Sequence, residues 1–162
     1  ILVCLVGSEM CIRDRLEANA NITPIKFLDY GCGSGILALA AAVMGHSGYA
    51  VDNDTQAVDS AVSNRDFNQI DVDKLSVLSV SDWQGKRSSL SGSFEVVIAN
   101  ILAGTVIDLR CELIEMLKPD GIIILSGILV DQVSSVRSSF DEIKFEEPVE
   151  NDGWVRLVGS LG

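Results

Sequence analysis

Three glycines are spaced so that they could hold a small molecule. Gly31, Gly33 and Gly35 lie in a turn that follows a short apolar run. Because glycine has no Cβ, such a turn can be tight and its backbone can approach a ligand closely. We expect a helix to begin near Gly35, and the free N–H groups of its first turn suit an electron-rich ligand group. The pattern predicts a ligand-binding turn between a strand and a helix.

Asp52 is the acidic partner that this turn requires, because it ends the next apolar run. An acid in that position can accept hydrogen bonds from both hydroxyls of a ribose. The dinucleotide-binding fingerprint needs a glycine where this chain has Ile36, which disfavours NAD and favours a ligand without a pyrophosphate. The alternative interpretation is a purely structural turn followed by a helix-capping aspartate.

Strands and helices alternate around these residues. Apolar runs predict strands at residues 26–30, 48–51, 75–80, 94–99 and 121–125, with final strands at 144–146 and 154–159. Helical spacing or capping predicts helices at 36–44, from Asp54 or Thr55 to about Asn68, at 102–117 and at 130–140. Residues 81–93 are polar and rich in serine, which predicts a loop. Alternation of this kind indicates a single α/β domain with a doubly wound, parallel sheet.

Three longer stretches carry a resemblance to a known family. They are Leu28-Asp-Tyr-Gly-Cys-Gly-Ser-Gly-Ile-Leu-Ala-Leu-Ala-Ala41, Phe94-Glu-Val-Val-Ile-Ala-Asn-Ile-Leu-Ala103 and Ile123-Ile-Leu-Ser-Gly-Ile-Leu129. Together they resemble the methyltransferases of ribosomal protein L-eleven (L11), and the resemblance extends over residues 26–159. It implies a Rossmann-like class I methyltransferase fold whose sheet is mostly parallel with an antiparallel last strand. It also implies S-adenosylmethionine (SAM) as cofactor.

The resemblance implies a function and a set of site residues. The activity would be SAM-dependent protein-lysine N-methylation, with lysine side chains and the N-terminal amine of ribosomal protein L11 as acceptors. Gly31 would line the methionine end of SAM, Asp52 would hold the ribose, and Asn100 would lie at the methyl-transfer end as the candidate catalytic residue. Gly33 completes the cofactor-binding turn, and Asp29 either braces that turn or contacts the methionine amine. No proline follows Asn100, which disfavours a nucleobase acceptor.

Two alternatives remain open from the sequence. One is a SAM-dependent methyltransferase that acts on a small molecule or on another protein. The other is a SAM-binding fragment without catalytic activity. The family resemblance implies an N-terminal substrate-recognition domain and a threonine-rich SAM-contacting segment ahead of the fold, and neither is recognisable in this sequence. Residues 6–15 resemble a translated sequencing adapter, so we expect residues 1–15 to be a non-native leader and residues 16–162 to be the catalytic domain. An ordinary extra strand or helix is the alternative for the leader.

The composition indicates which classes of binding partner suit this chain. There are 12 lysines and arginines against 23 aspartates and glutamates, a formal net charge of −11, which disfavours a broad nucleic-acid interface and suits a small molecule or a basic protein. No apolar run is long enough to span a membrane. The spacings of the four cysteines fit neither a disulfide framework nor a zinc site, which favours the cytoplasm. We expect a monomer.

Two further side chains could be mistaken for catalytic groups. His46 is the single histidine and follows Gly45 at a predicted helix end, so a surface helix-capping role is favoured over a metal or triad role. Cys32 lies inside the glycine turn and is predicted to be a small packed side chain rather than a nucleophile. Asp82 is left open between an adenine contact and a solvated acid. No metal site is predicted.

Overall fold

The structure, a computed structural model, describes residues 24–162, so the predicted leader lies outside the described residues. The described residues form one eight-stranded sheet in the order β3-β2-β1-β4-β5-β8-β6, with β7 paired to β8. The strands are β1 Lys26–Tyr30, β2 Ser47–Asp52, β3 Leu75–Ser79, β4 Phe94–Asn100, β5 Leu117–Leu129, β6 Ile143–Phe145, β7 Val149–Asn151 and β8 Trp154–Leu161. β1 to β5 pair in parallel and β8 runs antiparallel to β5. The predicted sheet, including its antiparallel strand, is confirmed.

Six α-helices of the described residues cover the two faces of this sheet. They are α1 Ile36–Val43, α2 Thr55–Phe67, α3 Val80–Leu90, α4 Ala103–Asp108, α5 Arg110–Met116 and α6 Val133–Ser139, the last preceded by a 3-10 turn at Val130–Gln132. In the part of the chain that the structure describes, no helix is both long and apolar enough to cross a membrane.

The alternation of side chains along β1 shows how the faces are divided. Phe27 packs with Ala38 and Ala61 of α1 and α2, whereas the neighbouring Leu28 packs with the residues of α3 to α6. Successive side chains of a strand point to opposite faces, so a strand covered on both sides must be apolar throughout. The continuous apolar runs of the sequence are therefore the central strands.

The prediction of a loop at residues 81–93 is wrong, because α3 occupies most of this segment. Ser79 caps the helix by accepting the N–H of Asp82 at 3.2 Å. Trp83 is fully buried, and its indole N–H donates to Glu112 of α5 at 2.6 Å. The helix has a single fully buried anchor among polar residues, so its sequence lacks the apolar periodicity that would have identified it.

The predicted helix over residues 102–117 is divided in two at Leu109, and β5 begins earlier than expected. Leu117 pairs with Phe94, and the pairing then resumes at Ile122 opposite Val96. Residues 118–121, where Pro119 and Gly121 favour a turn, thus form an irregularity inside the strand. β7 was not predicted, although the Asp152-Gly153 turn that joins it to β8 has positive φ values of 49° and 81°. An Asp-Gly pair of this kind is a strong hairpin signal.

Helix α1 is apolar on every side, although Val43 is 70% exposed because α1 has the sheet on one side only. One expectation at its end requires correction. His46 was expected at the surface and is buried. Its N–H donates to Ala41 O at 3.1 Å and the Gly45 N–H donates to Ala42 O at 3.0 Å, so the helix ends in a Schellman motif. The capping role is correct, but the ring is enclosed and its Nδ1 accepts the Ile25 N–H at 3.2 Å.

We predict that α3 depends on Trp83. The Trp83→Ala variant should lose about 3–5 kcal/mol of unfolding free energy, because a large side chain leaves a cavity and Glu112 loses a hydrogen bond. Urea unfolding measures this loss, and the exposed Ser88→Ala variant of the same helix should stay within about 0.5 kcal/mol of the wild type. A small effect at Trp83 would mean that α3 is not anchored to the sheet.

Candidate functional site

The glycine turn packs closely against Ile101. Gly31 has a φ of +77°, and a Cβ at this position would lie 2.2 Å from Cγ2 of Ile101, the residue that follows β4. Gly127 of β5 also has a positive φ, +79°, and a Cβ there would lie 2.6 Å from the Ile101 carbonyl oxygen. Ile101 is thus held between two glycines, and neither position tolerates a side chain without movement.

Backbone hydrogen bonds tie this turn to the end of β2. The N–H groups of Gly31 and Cys32 both donate to the Val51 carbonyl, at 2.8 and 3.1 Å. The Gly33 N–H donates to Oδ2 of Asp52 at 2.8 Å, and the Asp54 N–H donates to its Oδ1 at 3.0 Å. A carboxylate has about four acceptor positions, so Asp52 keeps about two for a ligand.

Asp29 lies under the same turn and is 1% exposed. Its Oδ2 accepts the Ala38 N–H of α1 at 3.2 Å, whereas the buried Oδ1 has no hydrogen-bond partner. Burial raises the pKa of Asp29 to about 7, the Ala38 N–H opposes this rise, and the nearby Asp52 carboxylate adds to it. Asp29 is therefore tied to the start of α1 and keeps one oxygen available. Its two predicted roles, bracing the glycine turn and contacting the methionine amine, stay predictions.

A cavity of about 220 Å³ opens beside the turn. Its walls are mostly apolar, and its residues are Tyr30, Gly31, Asp52, Asn53, Val80, Ile101, Thr105 and Leu109. An apolar wall suits the flat face of a purine, and the free acceptor positions of Asp52 at the edge suit a pair of ribose hydroxyls. The donor set and shape therefore fit the adenosine part of SAM.

Two of the predicted site residues, Gly31 and Asp52, line this cavity. Gly33 lies in the turn and donates to Asp52, and Asp29 lies beneath the turn and accepts from Ala38. Asn100 ends β4, is half-buried and pairs in register with Ser126 of β5. Asp82 is exposed and is not a lining residue, and its Oδ2 accepts the Ser79 hydroxyl at 2.6 Å.

The sequence reasoning missed most of the cavity wall. Asn53, Val80 and Ile101 each follow the last residue of a parallel strand, which is the position where such sheets bind ligands, so the strand ends themselves were the available signal. Thr105 and Leu109 continue from Ile101 at intervals of four, the spacing of one helix face.

Three further titratable groups have shifted pKa values, and of these Cys32 belongs to the turn and Tyr30 to the cavity, whereas His46 lies at the other end of β2. Burial raises the pKa of the Cys32 thiol well above its ordinary range, and the carboxylates of Asp29 and Asp52 raise it further, which disfavours a thiolate nucleophile. Burial raises the pKa of Tyr30 to about 12, and Glu112 adds to this rise. The pKa of His46 is lowered, first by burial and then by the Lys74 charge. Among the described residues, no cluster of three or more histidine, cysteine or acidic side chains could hold a metal ion.

The sheet order, with its antiparallel β8, is that of a class I methyltransferase, and comparison with known proteins identifies the family. A family model described as ribosomal protein L11 methyltransferase matches residues 7–161. Two curated proteins with that name, from Methylococcus capsulatus and Methylobacillus flagellatus, are 41% identical over 143 residues and 42% identical over 135 residues. A crystal structure of ribosomal protein L11 methylase from Lactobacillus delbrueckii subsp. bulgaricus matches with a TM-score of 0.77 at 27% identity, covering 98% of this chain and 76% of that chain.

The chain belongs to the ribosomal protein L11 methyltransferase family. The alignments cover 86% of this chain and 46% of the Methylococcus protein, and 82% and 43% for the Methylobacillus protein. The chain therefore spans a little under half the length of these curated relatives. Family and fold together make SAM the cofactor, in agreement with the fit of the cavity.

We predict that Asp29 makes the stability of the fold depend on pH. The folded chain keeps the Asp29 proton up to about pH 7, whereas the unfolded chain loses it near pH 3.8. Stability should therefore fall as pH rises through this window, by about 4 kcal/mol at most, and Asp29→Asn should remove this loss. Urea unfolding of both proteins from pH 5 to pH 8 tests this. A stability difference that is the same at every pH would contradict it.

Proposed function

We propose that this chain transfers methyl groups from SAM to amines of ribosomal protein L11, with lysine side chains and the N-terminal amine as acceptors. One observation carries the proposal: the mostly apolar cavity is edged by the Asp52 carboxylate, which accepts two backbone hydrogen bonds and keeps acceptor positions for a ligand. The chain that contains this cavity belongs to the L11 methyltransferase family. Residues 16–162 would form the catalytic domain. The curated relatives are named for this activity. They are longer than this chain, and the proposal assigns their activity to it.

Each site residue has a separate task in this proposal. Asp52 accepts the ribose hydroxyls while its bonds to the Gly33 and Asp54 N–H groups hold the carboxylate in place. Gly31 leaves the backbone open toward the methionine part. The buried Oδ1 of Asp29, which has no hydrogen-bond partner, offers an acceptor to the ammonium group of the methionine end. When bound, SAM would supply a methyl group on its sulfonium sulfur: the lone pair of a neutral amine would form the N–C bond as the C–S bond breaks, with S-adenosylhomocysteine as the leaving group.

Asn100 is the proposed catalytic residue. It is the last residue of β4, and only Ile101 and Leu102 separate it from α4. A lysine amine has an ordinary pKa of about 10.4, so the acceptor must reach the methyl group in its neutral form. A carbonyl acceptor from Asn100 can orient that amine, and positioning of this kind lowers the barrier without acid–base chemistry.

The direct test measures transfer of radiolabelled methyl from SAM to purified ribosomal protein L11. A second enzyme carries, in addition, the portion of the Methylococcus relative that this chain does not cover. We expect both enzymes to bind SAM and the longer one to label L11 efficiently. SAM binding with no labelling of L11 by either enzyme would overturn the acceptor, and labelling of a small amine instead would favour the small-molecule alternative.

We predict that Asp52→Asn weakens binding of S-adenosylhomocysteine about 30-fold, because a charge-assisted hydrogen bond is worth about 2 kcal/mol. Calorimetric titration gives the affinity. Asp59→Asn removes the same charge from an exposed position on α2 and should leave the affinity unchanged. Equal affinities for wild type and Asp52→Asn would remove Asp52 from the cofactor site.

We predict that Asn100→Ala lowers the turnover number more than it lowers cofactor affinity. Loss of an orienting group should cost on the order of 10- to 100-fold in kcat, whereas the adenosine cavity does not include Asn100. Steady-state kinetics and calorimetry on the same preparation separate the two effects, with exposed Asn68→Ala as the control. A parallel loss of affinity and turnover would assign Asn100 to cofactor binding alone.

A further inference from the structure

Four large apolar side chains are exposed where β4 and β5 end. Leu102 is 70% exposed, Val130 50%, Leu129 40% and Trp154 37%. We refer to these four residues as the apolar rim. Single exposed apolar residues are common on protein surfaces, but a group of them beside a ligand site marks an interaction surface.

The apolar rim lies just beyond the transfer end of the site. Leu102 is two residues past Asn100 on the same chain segment. Leu129 is three residues past Ser126, the register partner of Asn100, which places it about 10 Å further along the strand direction. Trp154 is the register partner of Leu129 in the antiparallel pair of β5 and β8. The rim residues therefore lie beyond Asn100 in the direction in which β4 and β5 run.

Acidic side chains surround the rim. Asp131 follows Val130 directly, and Glu150 and Asp152 belong to β7 and to the turn that leads to Trp154. All three are exposed. Arg137 places a positive charge on one side of these acidic residues, because it lines a shallow groove that begins at Val130 and runs along α6. The excess of negative charge is therefore on the side of the β7–β8 turn.

We propose that the apolar rim and its acidic surround bind the segment of the protein substrate that carries the acceptor amine, a basic segment with at least one apolar side chain. This inference rests on the proposed function and names the surface that the substrate uses. Amines are cationic before they react, so the acidic surround attracts the segment, and the apolar side chain packs on Leu102 and Leu129. Trp154 offers an aromatic face to a neighbouring lysine or arginine.

Charge complementarity selects this occupant over two others. A nucleic acid would bring phosphates to Asp131, Glu150 and Asp152, which repel them. A second copy of this chain would bring another net charge of −11, which also opposes contact. A basic protein segment is the partner whose charge and apolar character both match the surface.

The test uses variants of the rim in the full chain and in the longer enzyme described above. Leu102→Ser is suitable because position 102 is the N-cap of α4 and has no side-chain cap, so serine is compatible with the helix. Leu129→Ser is the second variant. Phe67→Ser is the matched control, since Phe67 is 86% exposed at the end of α2, which packs on β2 and β3 rather than on the strands of the rim.

Two measurements are made on each protein: KM and kcat for L11, and the affinity of fluorescently labelled L11 in the presence of S-adenosylhomocysteine. We expect each rim variant to raise KM and weaken L11 binding about 10-fold, while kcat, melting temperature and S-adenosylhomocysteine affinity stay at wild-type values. Phe67→Ser should change none of them. Asp152→Asn should reduce the dependence of L11 binding on salt concentration.

The outcomes separate this inference from the proposed function. A wild type that neither binds nor methylates L11 overturns the proposed function. A wild type that methylates L11, with rim variants that have the same KM and L11 affinity, overturns the docking surface alone. Loss of self-association in the rim variants, measured by sedimentation, would assign the rim to a second copy of the chain and also overturn it.

Discussion

The hydrogen bond between the Gly33 N–H and the Asp52 carboxylate joins the two parts of the candidate site. One part is the glycine turn after β1, and the other is the end of β2. The two N–H groups that converge on the Val51 carbonyl strengthen the same junction. Because β1 and β2 are parallel neighbours, their carboxyl ends meet at one edge, and this junction sets the distance between turn and acid.

This junction concentrates negative charge in a poorly solvated place. Asp29 and Asp52 are both largely buried, and the Asp52 carboxylate adds to the rise that burial causes in the pKa of Asp29. Backbone N–H groups from Gly33, Ala38 and Asp54 offset part of the cost of burying these two carboxylates. The acceptor positions that remain suit a ligand with hydroxyl and cationic groups, which is the chemistry of SAM.

The two ends of the site differ in the side chains that form them and in how far they are enclosed. The adenosine cavity is enclosed by apolar side chains that follow β3 and β4, such as Val80 and Ile101, and by one face of α4 with the adjoining Leu109. The proposed acceptor side is open and consists of the apolar rim with acidic neighbours. Asn100 stands between the two regions. An enclosed cofactor end and an open acceptor end suit a reaction in which a small cofactor meets a large protein.

The glycine turn, the acid at Asp52 and the parallel sheet could be predicted because each depends on a short stretch of chain with a strong local signal. Helix α3 could not, since its one buried anchor, Trp83, is recognised only through Glu112 on another helix. The burial of His46 was likewise missed, because an identical helix end can face solvent or protein. The hairpin at Asp152 carried a local signal that was overlooked.

The sequence by itself determined which residue types stand at the strand ends, and these define the family and the cofactor. Tertiary structure alone decided which of them meet. The cavity wall brings together Tyr30, Val80 and Leu109, which are far apart in the chain, and the enclosure of Asp29 depends on α1 packing over β1. Burial and electrostatic shifts arise from the packing of distant segments, and no local pattern encodes how closely those segments pack.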